Sequence, residues 1–589
     1  MKTIFHTILA VMTIILFFTT NSFSGNPNPF TSLTHKPKDS PKLPKYLPEE
    51  GSPESKKNFT LPPVPEKRTP QSEGESQTDG TDKIQSKLFE LKGVKFEGNT
   101  LFSNEQLNEA ATPFINHSVG MAELEEIRYQ ITRYYIDRGY INSGALIKPN
   151  QKVTDGIVTY LIIEGKLTNI NIKGNGRLRE NYIKKRVWKD GDKPFNTHKL
   201  QDYFQMLLQD PLIDKMDGNI VPGIKPGEAE LDIDITRARP YDLSITASNH
   251  SSPNLGSEKL SINQTVRNLT GFGDSLNAVL DFTEGTQEID ASYAVPINSN
   301  NTTLALNYNY SRNEIVSKPF DSLNIESRLQ STKLSLNHPI YHTLRRDISM
   351  GVSVKSEETR TYIIDGSFSV FEGSDNGVDK ATVVQLTQSF DDRTTDQVMV
   401  LRSTFSFGVD MLSPTLHSES LPDGEFVAWL GQVQYARRFD GKAGQIIFKG
   451  NVQLADDRLF SMEQFSLGGA DSVRGYRENK HTGDNGYLFS LEWRVPVWES
   501  QKTGHEEQTK LLQIAPFMDY GSAWDRDHFT REATRSDNTL HSVGIGLLWS
   551  TPKLDAQIYY GYAIEDDESD YEYDIQDDGI HFSVTYNFF

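Results

Sequence analysis

The chain has no cysteine. Structural disulfides, thiolate metal sites and a cysteine nucleophile are therefore excluded. Beyond residue 25 it also lacks any apolar run near the roughly 20 residues that a membrane-spanning helix needs. Mean hydropathy is −0.53. A membrane protein of this composition has to be a β-barrel, whose strands conceal apolar residues by alternation. Positive charge is in deficit, with 60 Lys and Arg against 80 Asp and Glu, a formal net charge of −20. A nucleic-acid surface needs clustered basic residues, so no nucleic-acid partner is expected. Catalytic motifs are missing too. "HEEQT" at His505 has no second His four residues on, and "GFGDSL" at Gly271 has no third glycine. No Walker loop or G-x-S-x-G elbow occurs. Neither enzyme activity nor a cofactor or metal is expected.

The 589 residues are enough for several domains. Residues 1–24 read as a signal peptide: Lys2 supplies the positive end, Ile4 to Phe18 the apolar stretch, and Ser22 and Ser24 the small residues before cleavage. A single anchoring helix is the alternative, although the stretch is short for a span. Residues 25–86 are rich in Pro, Ser, Lys and Glu, as in "KPKDSPKLPKYLPEEGSPESKK". Such a segment buries too little apolar surface to offset its ordering entropy, and it reads as a periplasmic linker.

Residues 87–165 follow the order β-α-α-β-β. "KLFELKGVKFEGNT" is a strand, and Ser103 caps a short helix in "FSNEQLNEAATPF". In "MAELEEIRYQITRYYIDRGY" the residues Leu124, Ile127, Ile131, Tyr134 and Tyr135 fall at helical spacing, and Gly139 ends the helix. "INSGALIKP" and "GIVTYLIIEG" pair as strands. Residues 166–239 repeat the order, and a unit of about 75 residues met twice signals an array. From residue 240 to 589 the period becomes two, through about 16 strands from "YDLSITASNH" to "GIHFSVTYNFF". An even number permits closure of a bacterial outer-membrane barrel. Connections alternate between short ones, such as "NSNN" near Asn298, and long ones, at 356–379 and 458–482. A soluble sandwich or propeller is the competing architecture, but the signal peptide and the aromatic last strand oppose it.

Several motifs resemble those of the two-partner secretion transporters, or TpsB proteins, of the haemolysin secretion/activation type. They belong to a superfamily that joins POTRA domains to a 16-stranded barrel. The resemblance runs over nearly all of residues 58–589. It is carried by "FELKGVKFEGNTLFSNEQL", by "YYIDRGYINSGALIKPNQKVTDGIVTYLIIEGKL", by "NLTGFGDSL" and above all by "FSLGGADSVRGYREN". In the last, Val473, Arg474, Gly475 and Tyr476 match the core of the superfamily's loop motif. "FMDYGSAW" resembles the barrel-wall motif that supplies an acidic partner, here Asp519, and Phe589 fits the C-terminal assembly signal. The resemblance implies two POTRA domains (87–165 and 166–239) ahead of a 16-stranded antiparallel transmembrane barrel (240–589). It implies the outer membrane and its lipid as surroundings, the periplasm as the site of the POTRA domains, and export of a secreted exoprotein of adhesin or cytolysin type. Barrel assembly machinery is the expected partner during biogenesis. Family members often carry a plug helix, but residues 25–57 are too rich in Pro to read as one.

Topology places the motif independently. With a periplasmic N-terminus, the loop between strands eleven and twelve is the sixth outer loop and contains Arg474. Asp519 falls on the outer part of strand thirteen, facing inward while Met518 and Tyr520 face the other way. A loop folded into the lumen brings Arg474 to Asp519, where a guanidinium fits a carboxylate with two parallel bonds. An exposed loop Arg and an unrelated lumen Asp are the alternative. The edges of the POTRA sheets suit capture of an unfolded chain by strand addition. Tyr135, Tyr140 and Tyr160 fit either that contact or, preferably, core packing. The acidic run Glu565 to Asp578 lacks the spacing of a calcium loop and reads as a solvated outer loop. Two functions compete with export: an assembly factor inserting other outer-membrane barrels, and a passive porin, which the periplasmic domains oppose.

Overall fold

The computed structural model describes residues 59–60, 88–153, 155–363, 366–367, 373–417, 421–439, 443–500, 510–526, 538–564 and 572–588. The expected signal peptide, most of the linker, "HEEQT", Phe589 and the first half of the acidic run lie outside them. Two compact units divide near residue 238.

The N-terminal unit holds β1 (Phe59–Thr60), β2 (Phe89–Glu90), β3 (Gly93–Glu97), β4 (Ser118–Val119), β5 (Gly144–Ile147), β6 (Ile157–Ile163), β7 (Lys166–Lys173), β8 (Ile213–Pro222) and β9 (Glu228–Arg237). The sheet order β3-β6-β5 serves the first domain and β1-β8-β9-β7 the second. In the first domain the helix Met121–Ile136 buries Leu124, Ile127, Ile131 and Tyr135, one stripe at helical spacing. Tyr160 lies against it and donates to the Leu124 carbonyl at 2.9 Å. Tyr135 and Tyr160 are wholly buried, so of the two roles considered for them core packing is the one they fill. In the second domain the helices Glu180–Val187 and Thr197–Leu208 cover Leu231, Ile233 and Met216 of the sheet. The two domains are stitched together. Asn196 caps the helix Thr197–Leu208 by accepting from the His198 and Lys199 amides, and its amide nitrogen donates to the Arg138 carbonyl at 2.9 Å. Asn142 donates to the Gly227 carbonyl at 2.8 Å.

The C-terminal unit is a closed antiparallel barrel. Its strands open with β10 (Tyr241–Ser248), β11 (Lys259–Arg267), β12 (Ser275–Phe282), β13 (Thr286–Pro296), β14 (Thr303–Glu314), β15 (Glu326–His342) and β16 (Arg346–Ile363). After the two-residue β17 (Gly366–Ser367) come β18 (Val378–Arg393), β19 (Gln397–Gly408), β20 (Val427–Arg438) and β21 (Gln445–Ala455). The short β22 (Phe465–Leu467) and β23 (His481–Gly483) pair only with each other. The wall ends with β24 (Asn485–Glu499), β25 (Leu511–Trp524), β26 (Thr539–Ser550), β27 (Leu554–Ala563) and β28 (Ile580–Asn587). β17 is a side branch of β16, which pairs directly with β18, so the wall has sixteen strands. Closure is made by β10 against β28, from Ser244↔Asn587 to Ser248↔Ser583.

The barrel is inside-out relative to a soluble sandwich. On β16, Met350, Val352 and Val354 are exposed, whereas Ser349, Ser353, Lys355 and Glu357 between and beyond them are buried. β26 repeats this with Val543, Ile545 and Leu547 outward. An apolar outer band and a polar interior satisfy a bilayer and a wet lumen. Trp498 and Trp549 stack on that outer face, with centroids 5.5 Å apart. In the segment 356–379, expected as a long loop, the two ends are strand: β16 runs on to Ile363 and β18 starts at Val378. In "SEETRT" polar residues occupy both faces, which is what a ribbon standing clear of the bilayer requires and what hides the alternation.

Candidate functional site

The loop 456–484 joins β21 to β24, the eleventh and twelfth wall strands, and turns into the lumen. A tight turn leads into its tip. Gly468 and Gly469 have φ of +100° and +102°, a region closed to most side chains. The Gly469 amide donates to the Val473 carbonyl at 3.1 Å. Val473 then packs with Phe465, Leu467, Leu488, Ala523 and Leu540 in an apolar cluster against the wall.

Arg474 is 5% exposed and Asp519, on β25, 2%. The guanidinium addresses Asp519 side-on: Nε donates to Oδ2 at 2.8 Å and Nη2 to Oδ1 at 2.9 Å. The Arg474 backbone amide adds a third bond to Oδ2, at 3.0 Å. Nη1 donates to Glu492 of β24, and Nη2 to Ser490 Oγ at 3.2 Å. The guanidinium carbon stands 3.6 Å from the centre of the Phe517 ring and 4.8 Å from that of Tyr559. Tyr559 in turn donates to Glu492 at 3.3 Å. A planar cation bonded along its edges and stacked on an aromatic face is held in both position and orientation.

The rest of the motif reaches further round the wall. Gly475 (φ +97°) lies so close to Gly561 of β27 that a Cβ on Gly561 would meet the Gly475 nitrogen at 2.7 Å. Its amide donates to Nε2 of the buried His581 on β28 at 3.3 Å. Tyr476 donates to the His541 carbonyl on β26 at 3.0 Å. Arg477 pairs with Asp577, and the Glu478 amide donates to Gln576 at 2.9 Å. Gln576, fully buried, donates to the Asn249 and Ser251 carbonyls at 2.7 and 2.8 Å, beside the closing seam.

Arg474 and Asp519 therefore lie together, and Val473, Gly475 and Tyr476 sit with them. Glu492, Phe517, Tyr559 and Gly561 were not among the expected residues. Glu492 had one signal, a lone carboxylate at an inward position of the alternating "LFSLEWRVP". Among the described residues, no group of three His, Asp or Glu side chains is arranged to hold a metal.

A family model described as haemolysin secretion/activation protein ShlB/FhaC/HecB matches residues 227–548. The chain belongs to that family. A second model, a POTRA domain of ShlB type, matches residues 89–165. Among curated relatives is an outer membrane transporter, CdiB of Dickeya dadantii, 22% identical and covering 82% of this chain and 84% of the relative. Another is the heme/hemopexin transporter protein HuxB of Haemophilus influenzae, 21% identical over 78% and 80%. The fold is that of solved CdiB from Escherichia coli, at TM-score 0.62, 18% identity and coverage of 87% and 93%. BamA of Haemophilus ducreyi shares it at TM-score 0.51 and 14% identity, over 85% and 100%. The transporter resides in the outer membrane, its POTRA domains are periplasmic, and it exports a secreted partner protein.

Proposed function

We propose that the transporter serves one exoprotein of adhesin or cytolysin type, and that the tip motif Val473–Tyr476 sets the resting position of the loop in the lumen. The observation that carries this reading is the Arg474 guanidinium, buried and bonded to Asp519 and Glu492 across two wall strands. So many directed bonds are more than a solvent-filled channel needs, and they suit a loop that leaves and returns to one place. The POTRA domains receive the exoprotein unfolded, through strand addition that reads main chain rather than sequence. No nucleotide motif is present in the sequence, so folding of the exoprotein outside supplies the direction. Phe589, which fits the C-terminal assembly signal, is the handle for the barrel assembly machinery. No catalysis and no nucleic acid enter this function.

The competing reading is assembly of other barrels. Deleting the gene and quantifying both secreted and outer-membrane proteins separates the two. Loss of one exoprotein with other barrels at normal level supports export. A general fall in barrels contradicts it.

A further inference from the structure

The loop 456–484 has a second attachment that shares no residue with the tip. Its first arm carries Leu459 and Phe460, both buried against Ala381 and Val383 of β18 and Ala428 of β20. Next comes Glu463, 1% exposed, whose carboxylate meets Lys355 Nζ on β16 at 2.5 Å. Lys355 is 2% exposed. Glu357 Oε2 lies 2.6 Å from the same ammonium, an ion pair without hydrogen-bond alignment. The Glu463 carbonyl accepts from Gln453 Nε2 at 3.0 Å. Asp484, at the far end of the loop, accepts from the Leu459 amide at 2.9 Å and from Gln464 at 3.1 Å. Lys355 stands on the seventh wall strand, whereas the tip is bound to the twelfth through sixteenth. The loop thus spans the lumen between two walls. Left-handed backbone separates the two attachments: Gly468 and Gly469 on the way in and Asn479 (φ +59°) on the way out.

We infer that Lys355 and Glu463 are positioning residues that clamp the first arm to the wall during export, so that only the tip 470–478 swings away. An ion pair withdrawn from water ties the arm to one wall at a defined place: removing Lys355 leaves the carboxylates of Glu357 and Glu463 buried without that cation, and removing the Glu463 charge releases the arm from a cation that Glu357 still holds on the wall. The pivot falls at the left-handed residues, which absorb changes of φ and ψ at little steric cost. The inference rests on the reading that the tip governs export.

The test uses the full chain in cells, with export expressed per inserted barrel and with entry of a large antibiotic as a second readout. Lys355→Met and Glu463→Gln should each lower export about tenfold, between the effects of exposed and buried ion pairs. They should also admit the antibiotic, because a loosened arm no longer spans the lumen; a purely structural role in insertion would not move that readout. Lys355→Arg keeps a cation facing both carboxylates and should restore export and tightness. The cysteine-free chain allows a second arm of the test. Thr359→Cys with Met462→Cys, at positions whose native side chains approach to 3.6 Å, can be bridged by a short cleavable thiol reagent. Export continuing while bridged supports the clamp; export stopped by the bridge and restored by cleavage overturns it. Lys355→Met behaving as the parent in both readouts also overturns it. Arg474→Ala in the same series separates the failures, since normal export by that variant refutes the reading of the tip itself.

Discussion

Arg474 concentrates the interactions of the tip on one side chain. Asp519 takes its edge, Glu492 its other nitrogen, and Phe517 its face. Removing one partner of a buried ion pair costs about 3–5 kcal/mol, less where lumen water reaches the remaining charge. Arg474→Ala should therefore abolish most export while the barrel stays inserted. Arg474→Lys should recover only part, since an ammonium reaches one carboxylate well but cannot bond side-on or stack. Asp519→Ala should resemble Arg474→Ala, and the double variant should be little worse than either, because members of one interaction are not additive. Secreted exoprotein per inserted barrel measures all of these. A double defect equal to the sum of the single defects in free energy would separate the two residues. A steric prediction concerns Gly561. Its Cβ would stand 2.7 Å from the Gly475 nitrogen and 2.8 Å from the Arg474 carbonyl carbon, all of it backbone that cannot step aside. Gly561→Ala should displace the tip and reduce export although no charge changes; unaltered export would mean that the close approach is not required.

At the scale of elements, Asn196 has two duties. Its side chain caps the helix Thr197–Leu208 and reaches back to the first domain at Arg138. Asn196→Ala should cost about 1 kcal/mol from the lost cap. Hydrogen exchange of the full chain should speed up at the His198 and Lys199 amides and around Arg138; a change confined to the helix would mean that the inter-domain bond carries no weight. The helix Met121–Ile136 was readable in the sequence because a buried stripe at Leu124, Ile127 and Ile131 repeats with the helical period. The wall strands were readable because Met350, Val352 and Val354 alternate with polar residues. Contacts between distant segments left no such trace. Nothing near Lys355 announces Glu463, which lies 108 positions on, and the aromatic bed of Phe517 and Tyr559 is assembled only when β25 and β27 curve into one lumen. Long polar strands failed for the opposite reason, since "SEETRT" has the same character on both faces.

The whole molecule joins a polar lumen, a loop held from two walls and a pair of linked periplasmic domains. The apolar outer band predicts recovery with outer membranes and heat-modifiable migration on gels; recovery as a soluble periplasmic protein would contradict the barrel. The central claim is that the exoprotein passes through this lumen. Photo-reactive residues placed along one strand test it directly. Ser349 and Ser353 of β16 are buried on its polar face, and Val352 is exposed on its apolar one. In cells actively exporting, residues at 349 and 353 should capture the exoprotein and the residue at 352 should not. Capture at 352 equal to that at 349 and 353, or none at the inner positions while export proceeds, would contradict passage through the barrel.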